Sequence, residues 1–432
     1  LCAGWTWQAG RVRSPFRVVA GIVAVLLTPL LTLSGAPAAA AAAKVPSSFV
    51  IRGSGQGHGV GMSQYGAYQL ARTGRTAEQI LGFYYPGTNV GTANNNPRTV
   101  KVQVLGPADK RTKATLTVKG GRFTITDAAG KQLGSFKAGK ATLKVKGTKV
   151  TAKIGKKSVT AARLVVSTSG VATVTGAQGS YHAGTLQATV IGKRLNVVNR
   201  VAMNTDYLYG LDEMPASWAN NGGTEALQAQ VIAARTYVIN QILTHLPVAQ
   251  QPENAGRPDC DCHVFDDERS QNYTGWKKAG KAENRPWLQA VDATIQGGRV
   301  QVLWAGAGVP AEAVYFASTS SSAGAGTGSN ADVFGTTALS YLSGVTDPYS
   351  AAAPKNPYLS WKATLSQAKA AKVFGLKRVT SITITAKYPG GLVKTLTATA
   401  ADGRTSTLTK TTTAWTSLLG LRAPWLDSVK PA

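Results

Sequence analysis

The stretch Tyr207-Leu-Tyr-Gly-Leu-Asp-Glu-Met-Pro-Ala-Ser-Trp218, followed by Thr224-Glu-Ala-Leu-Gln-Ala-Gln-Val-Ile-Ala-Ala-Arg-Thr-Tyr237, carries the most information in this chain. Leu227, Val231, Ala234, Val238 and Ile242 recur at helical spacing, which predicts a long amphipathic helix starting at Thr224. At about 100° per residue, Gln228 and Arg235 fall on one flank of that stripe and Gln230 and Tyr237 on the other. These are boundary positions, from which a polar head reaches either a cleft or a core. Just ahead of the helix, Glu213 stands beside Met214, Pro215 and Trp218. An apolar pocket disfavours the charged carboxylate, so a Glu held in one stays protonated near neutrality and can act as a general acid. A salt bridge to Arg235 would do the opposite. With 20 acidic residues in 432, a Glu in such surroundings stands out.

Outward from this centre the composition is basic. Lys and Arg number 47 against 20 Asp and Glu, a formal charge of +27, and the length predicts two or three domains. Such a field favours polyanionic surroundings. Residues 1–43 place Arg11, Arg13 and Arg17 before an apolar run from Val18 to Leu33 and small residues up to Ala43, the order of an export signal. The expectation is an exported protein, extracellular or associated with the cell wall, with anionic wall polymers as counter-charge and no nucleic-acid partner. Residues 96–180 are expected to form a basic β module. Between Lys101 and Lys157 lie thirteen lysines and two arginines against two aspartates, spread over short runs that alternate apolar with polar. Those lysines either solvate the outer faces and protect edges or bind anionic polymer. The run Cys260-Asp-Cys262-His263 admits three readings: a reduced loop, a tight disulfide, or three ligands of a zinc site whose fourth the sequence does not name. No other cofactor is expected.

Near the start stands Gly53-Ser-Gly-Gln-Gly-His-Gly-Val-Gly-Met-Ser-Gln-Tyr-Gly-Ala67, whose glycines permit positive φ and close backbone approach. His58, flanked by glycines, is expected to be held by a specific hydrogen bond. Taken together, the Tyr207–Tyr237 stretch, this glycine string with Tyr84-Tyr-Pro-Gly-Thr88, the stretch Ala313-Val-Tyr-Phe-Ala-Ser-Thr-Ser320, and the later Val333-Phe-Gly and Tyr341-Leu with Asp347-Pro348 resemble the SpoIID/LytB family. That family comprises stage II sporulation protein D and its amidase-enhancer relatives. The resemblance implies a β-rich α+β fold: a catalytic core over 181–426 with one long amphipathic helix, an inserted all-β basic module, and residues 44–92 packing back onto the core. It implies a lytic transglycosylase that cleaves the N-acetylmuramic acid to N-acetylglucosamine bonds of peptidoglycan strands and leaves 1,6-anhydro ends. A single acid, Glu213, serves as acid and then base. By the same resemblance Arg235, Gln228, Gln230, His58, Gln64 and Ser320 contact the glycan. The alternative is a non-catalytic wall-binding protein that stimulates a cell-wall amidase. Three departures stand out: the glycine string precedes the Glu213 motif, Gln228 replaces the family's usual Lys, and the Cys loop is short.

Overall fold

A computed structural model describes residues 44–94, 99–245 and 256–432; the expected export signal at 1–43 lies outside them. The fold is α+β and rich in strands. Strand Ser48–Ser54 lies between Trp361–Ser366 and Trp425–Pro431, antiparallel to both, so the N-terminal segment forms the middle of a sheet built from the C-terminal end. The two-residue strand Met62–Ser63 pairs in parallel with Tyr315–Phe316, joining the glycine string to the stretch around Ala313–Ser320. Two glycines permit this closeness. Gly61 has φ +73° and a Cβ there would lie 2.0 Å from the Val314 carbonyl oxygen, while one on Gly66 would lie 1.9 Å from the Tyr84 hydroxyl.

Strands from either side of residue 180 share one sheet. One ten-stranded sheet runs from Val264–Phe265 through Thr99–Leu105, Arg194–Ala202, Thr185–Ile191, Leu164–Thr168, Lys113–Thr126, Gln132–Lys146 and Lys149–Ile154 to Lys157–Ala161, with Val171–Val174 beside Lys113–Thr126. Thr99–Leu105 lies between Val264–Phe265 and Arg194–Ala202, the six strands within 113–174 lie together at the other end, and the described residues cluster as one compact unit. The lysine-rich stretch is therefore an extension of the central sheet.

The long helix is Thr224–His245. The expected stripe is buried, and so are Ala226, Ala229, Ile232, Ala233, Arg235 and Thr236 on the other faces. Small alanines let the helices Gln64–Arg72, Ala77–Tyr84 and Arg285–Ala293 and the strand Arg299–Gly306 close in around it. The helix is thus enclosed rather than amphipathic, as expected for one with apolar or small residues all round. Among the described residues, no helix is long and apolar enough to cross a membrane.

The Cys loop caps the sheet. Cys260 and Cys262 form a disulfide, and the residue between them, Asp261, takes a left-handed φ of 52° that turns the chain back on itself. Of the three readings of this loop the disulfide is the one found, so the reduced loop is corrected and the zinc reading loses both thiolates. His263 instead lies against Thr99–Leu105: its Nδ1 accepts from the Lys101 N–H at 3.2 Å, and its own N–H donates to the Lys101 carbonyl at 2.8 Å. The Lys101 ammonium is buried and pairs with Asp261, which Arg163 also bridges at 2.8 Å. Lys101 is consequently a core residue, unlike the exposed lysines that follow it.

Candidate active site

Glu213 reaches its place because Leu211 pairs with Tyr273, which brings Asn272 alongside. The Asn272 backbone N–H donates to Glu213 Oε1 at 2.6 Å, and Tyr315 and Gln64 side chains donate to the same carboxyl. Burial nevertheless pushes this carboxyl above the usual Glu range, outweighing those three bonds, with neighbouring Asp212 adding to the rise. The ion pair with Arg235 that would have held it ionised is not made. Glu213 is half-buried and lies on the wall of an open cleft of about 500 Å³, with Gln64, Tyr65, Trp218, Lys278 and Tyr358 around it.

Each neighbour is placed by identifiable contacts. Ser63 caps the helix Gln64–Arg72 through its Oγ, which accepts from the Gly66 N–H at 3.4 Å and also bonds Ser350 Oγ at 2.6 Å. Ser350 is held in turn by Asp347 at 2.6 Å, and Asp347 accepts from Thr319 Oγ1 at 3.0 Å. Gln64, first residue of that helix, donates through Nε2 to Gln230 Oε1 at 3.3 Å. Behind Glu213 a chain of donors runs from the Tyr207 hydroxyl to Gln271 Oε1 at 2.5 Å, and from Gln271 Nε2 to the Tyr315 hydroxyl at 2.8 Å. Trp218 stacks on Tyr68 with ring centres 4.3 Å apart and meets Tyr65 edge-on at 5.0 Å. It packs, yet it also borders the cleft.

The expected site residues divide. Glu213 and Gln64 share the cleft, and Gln230 supports Gln64 from complete burial. Arg235 is not in the cleft. It is fully buried, donating to Asn204 Oδ1 at 2.9 Å, the Gln301 carbonyl at 3.0 Å and Thr294 Oγ1 at 2.8 Å, and burial lowers its pKa to about 9. Ser320 is likewise buried, bonded to Ser54 Oγ at 2.7 Å and accepting from the Ser322 N–H at 3.0 Å, so it ties the first strand to the 313–320 stretch. Gln228 is half-buried and lines neither the Glu213 cleft nor the cavity beside His58. His58 lines a second cavity of about 340 Å³ with Tyr237, Glu312 and Tyr315. Its Nδ1 accepts from the Val60 N–H at 3.1 Å, Phe316 and Phe334 flank its ring at 5.6 and 5.2 Å, and burial pushes its pKa down to about 4. Tyr315 belongs to both places, its hydroxyl on Glu213 and its ring in the His58 cavity. Sequence reasoning passed over Tyr315, although it lies inside the quoted 313–320 stretch, and Asn272, whose contribution is a backbone N–H and so leaves no mark on residue type.

The chain thus combines a strand-rich α+β fold with a half-buried carboxyl of raised pKa on an aromatic-walled cleft. Residues 192–301 match the family described as Stage II sporulation protein, so the resemblance read from the motifs holds over the segment that contains Glu213 and the whole of the long helix. Among curated relatives, the chain is 53% identical over 47 residues to the amidase enhancer of Bacillus subtilis and 52% identical over 40 residues to its stage II sporulation protein D. It is also 40% identical over 63 residues to an uncharacterized protein of Brachyspira hyodysenteriae. These likenesses are local: they cover 11%, 9% and 15% of this chain and 7%, 12% and 17% of the three relatives.

Proposed function

We propose that this chain is an exported, wall-bound lytic transglycosylase of peptidoglycan, and the observation that carries the reading is Glu213. A carboxyl whose pKa is raised by burial, on the wall of an open cleft, suits protonation of a glycosidic oxygen. Glu213 gives its proton to the oxygen linking N-acetylmuramic acid to N-acetylglucosamine as the C1–O bond breaks. The resulting carboxylate takes the proton of the muramic C6 hydroxyl, whose oxygen closes onto C1 and forms the 1,6-anhydro ring. The nucleophile comes from the substrate, so one carboxyl suffices where ordinary glycoside hydrolysis uses two. The Asn272 N–H and the Tyr315 and Gln64 donors hold the carboxylate oxygens in place between the two transfers. Tyr65, Trp218 and Tyr358 offer ring surfaces to the sugars, and the reaction takes no cofactor.

The likeness to an amidase enhancer favours a second reading, a wall-binding protein that stimulates a partner amidase without cutting glycan itself. Mass spectrometry of soluble products separates the two. Wild-type protein and Glu213→Gln are incubated with intact and with peptide-stripped peptidoglycan. Anhydro-muramyl ends from wild type, lowered roughly 10²- to 10⁴-fold in the variant, support the transglycosylase. Wall binding without any glycan product from wild type transfers the conclusion to the enhancer.

A further inference from the structure

On the central sheet, far along the chain from Glu213, the strands Lys113–Thr126, Gln132–Lys146, Lys149–Ile154 and Lys157–Ala161 present one face to the core and the other to solvent. Ala114, Leu116, Ala141, Leu143, Val150 and Ala152 are buried. The opposite face carries Lys113, Lys140, Lys144, Lys146 and Lys153, which line a concavity of about 910 Å³. Edge protection does not account for them. Three of the five stand on Gln132–Lys146, a strand paired on both sides, while the edge strand Lys157–Ala161 contributes Ser158 and Thr160. Solvation alone does not account for them either. Lys113 lies directly opposite Lys144, and Lys146 directly opposite Lys149. Like charges so paired destabilise a sheet, and none of these lysines makes an ion pair among the described residues.

We infer that this face is a binding site for a linear polyol-phosphate polymer, a phosphodiester chain without bases, which supplies the missing counter-charge. Same-face side chains recur about every 6.7 Å along a strand and about every 4.8 Å across strands, so the lysines form a lattice that can follow successive phosphates of a flexible chain. Lysine contacts phosphate as a point charge and tolerates its changing orientation; no arginine, the residue suited to planar bidentate recognition, lines the concavity. Thr142, Thr151 and Thr160 between the lysines offer hydroxyl donors to phosphate or polyol oxygens. No aromatic side chain lines it, which removes the stacking platforms that single-stranded nucleic acid uses. The inference stands independently of glycan cleavage.

The test is equilibrium binding of the full chain to poly(glycerol phosphate) over a range of salt. At about 0.7 per neutralised phosphate, five contacts give a log–log salt slope near −3.5, so tripling the salt weakens binding roughly 50-fold. Replacing Lys113, Lys140, Lys144, Lys146 and Lys153 by Gln is expected to abolish most of that slope. Replacing Lys362, Lys369, Lys372, Lys377 and Lys387 by Gln, an equal loss of charge elsewhere, is expected to leave it. Equal losses from both sets overturn the site in favour of net charge alone, and an unchanged slope in the first set overturns it outright. Tighter binding to a single-stranded oligonucleotide of equal phosphate number, or to phosphatidylcholine vesicles containing phosphatidylglycerol, overturns the assigned ligand. So does inorganic phosphate competing at the same phosphate concentration as the polymer. Should the fivefold variant fold poorly, the pair Lys113→Gln and Lys144→Gln gives the same reading, with the slope reduced by about 1.4.

Discussion

Arg235→Met separates a residue that touches substrate from one that holds the fold. The guanidinium joins the long helix to three other elements: Asn204 in the turn Met203–Tyr207, Thr294 after the helix Arg285–Ala293, and Gln301 on the strand Arg299–Gly306. Each is a neutral acceptor. A hydrogen bond to a charged group contributes about 1.5–3 kcal/mol, so losing three costs roughly 5–9 kcal/mol. Met fills similar space and returns the several kcal/mol spent on desolvating a buried cation. The net expectation is destabilisation by about 3–5 kcal/mol, and Arg235→Lys, which keeps the charge but not the fork, is expected to lose somewhat less. Equilibrium denaturation measures the loss; sedimentation with insoluble peptidoglycan, at a temperature where the variant stays folded, measures binding. Wild-type stability with abolished wall binding would refute the structural role and return Arg235 to the cleft.

Removing the Tyr315 hydroxyl with Tyr315→Phe takes one donor from the Glu213 carboxylate, so its pKa is expected to climb further. The high-pH limb of the anhydro-product pH profile should move up accordingly, and a limb that stays put argues that another group sets it. Asp266 is raised to about 7 by burial, with Asp267 adding to the effect. The folded state therefore keeps a proton that the unfolded chain releases between about pH 4 and 7, and this group's contribution to stability falls as pH rises through that window, by roughly 2–4 kcal/mol. Asp266→Asn is expected to flatten that fall in denaturation curves taken at pH 5 and pH 8; an identical pH dependence in the variant contradicts it. Gly61→Ala forces a Cβ onto the Val314 carbonyl at a left-handed φ and should cost about 2–5 kcal/mol, read as a lowered Tm. Unaltered melting would mean that the pairing of Met62–Ser63 with Tyr315–Phe316 has another way to form.

What could be read in advance depended on whether the informative property belongs to the residue itself. Glu213 was legible because Met214, Pro215 and Trp218 announce an apolar setting for a scarce residue type. The strands of the lysine-rich stretch were legible from their period of two. Arg235 was not, since a flank position on a helix is equally a cleft wall or a core, and the choice is made by what packs there. Ala226, Ala229 and Ala233 decide it: they leave room for neighbouring elements to approach, and a count of large apolar residues passes over them. Asn272 was out of reach for a related reason, because any residue carries the N–H it uses. The Cys loop shows a third kind of opacity. Spacing left the disulfide between Cys260 and Cys262 as one of three readings; what accommodates so short a ring is the conformation of Asp261, and Asp is among the residues that tolerate the left-handed region.

Asp212 and Glu213 show how one dipeptide supplies two different carboxyls. They are consecutive and of the same chemistry, and only their surroundings distinguish them. Asp212 lies at the exposed rim, where Lys278 Nζ meets its Oδ1 at 2.8 Å; that lysine is itself buried and donates also to the Met214 carbonyl at 3.1 Å. The ammonium balances the Asp212 charge and, through Met214, fixes the turn that carries Glu213. Pairing Asp212 with Lys278 lets Glu213 stay against Tyr315 and the Asn272 N–H, where burial raises its pKa. One dipeptide thus gives its two carboxyls separate environments, an ion pair for Asp212 and burial for Glu213, the arrangement by which a fold sets adjacent titratable groups apart.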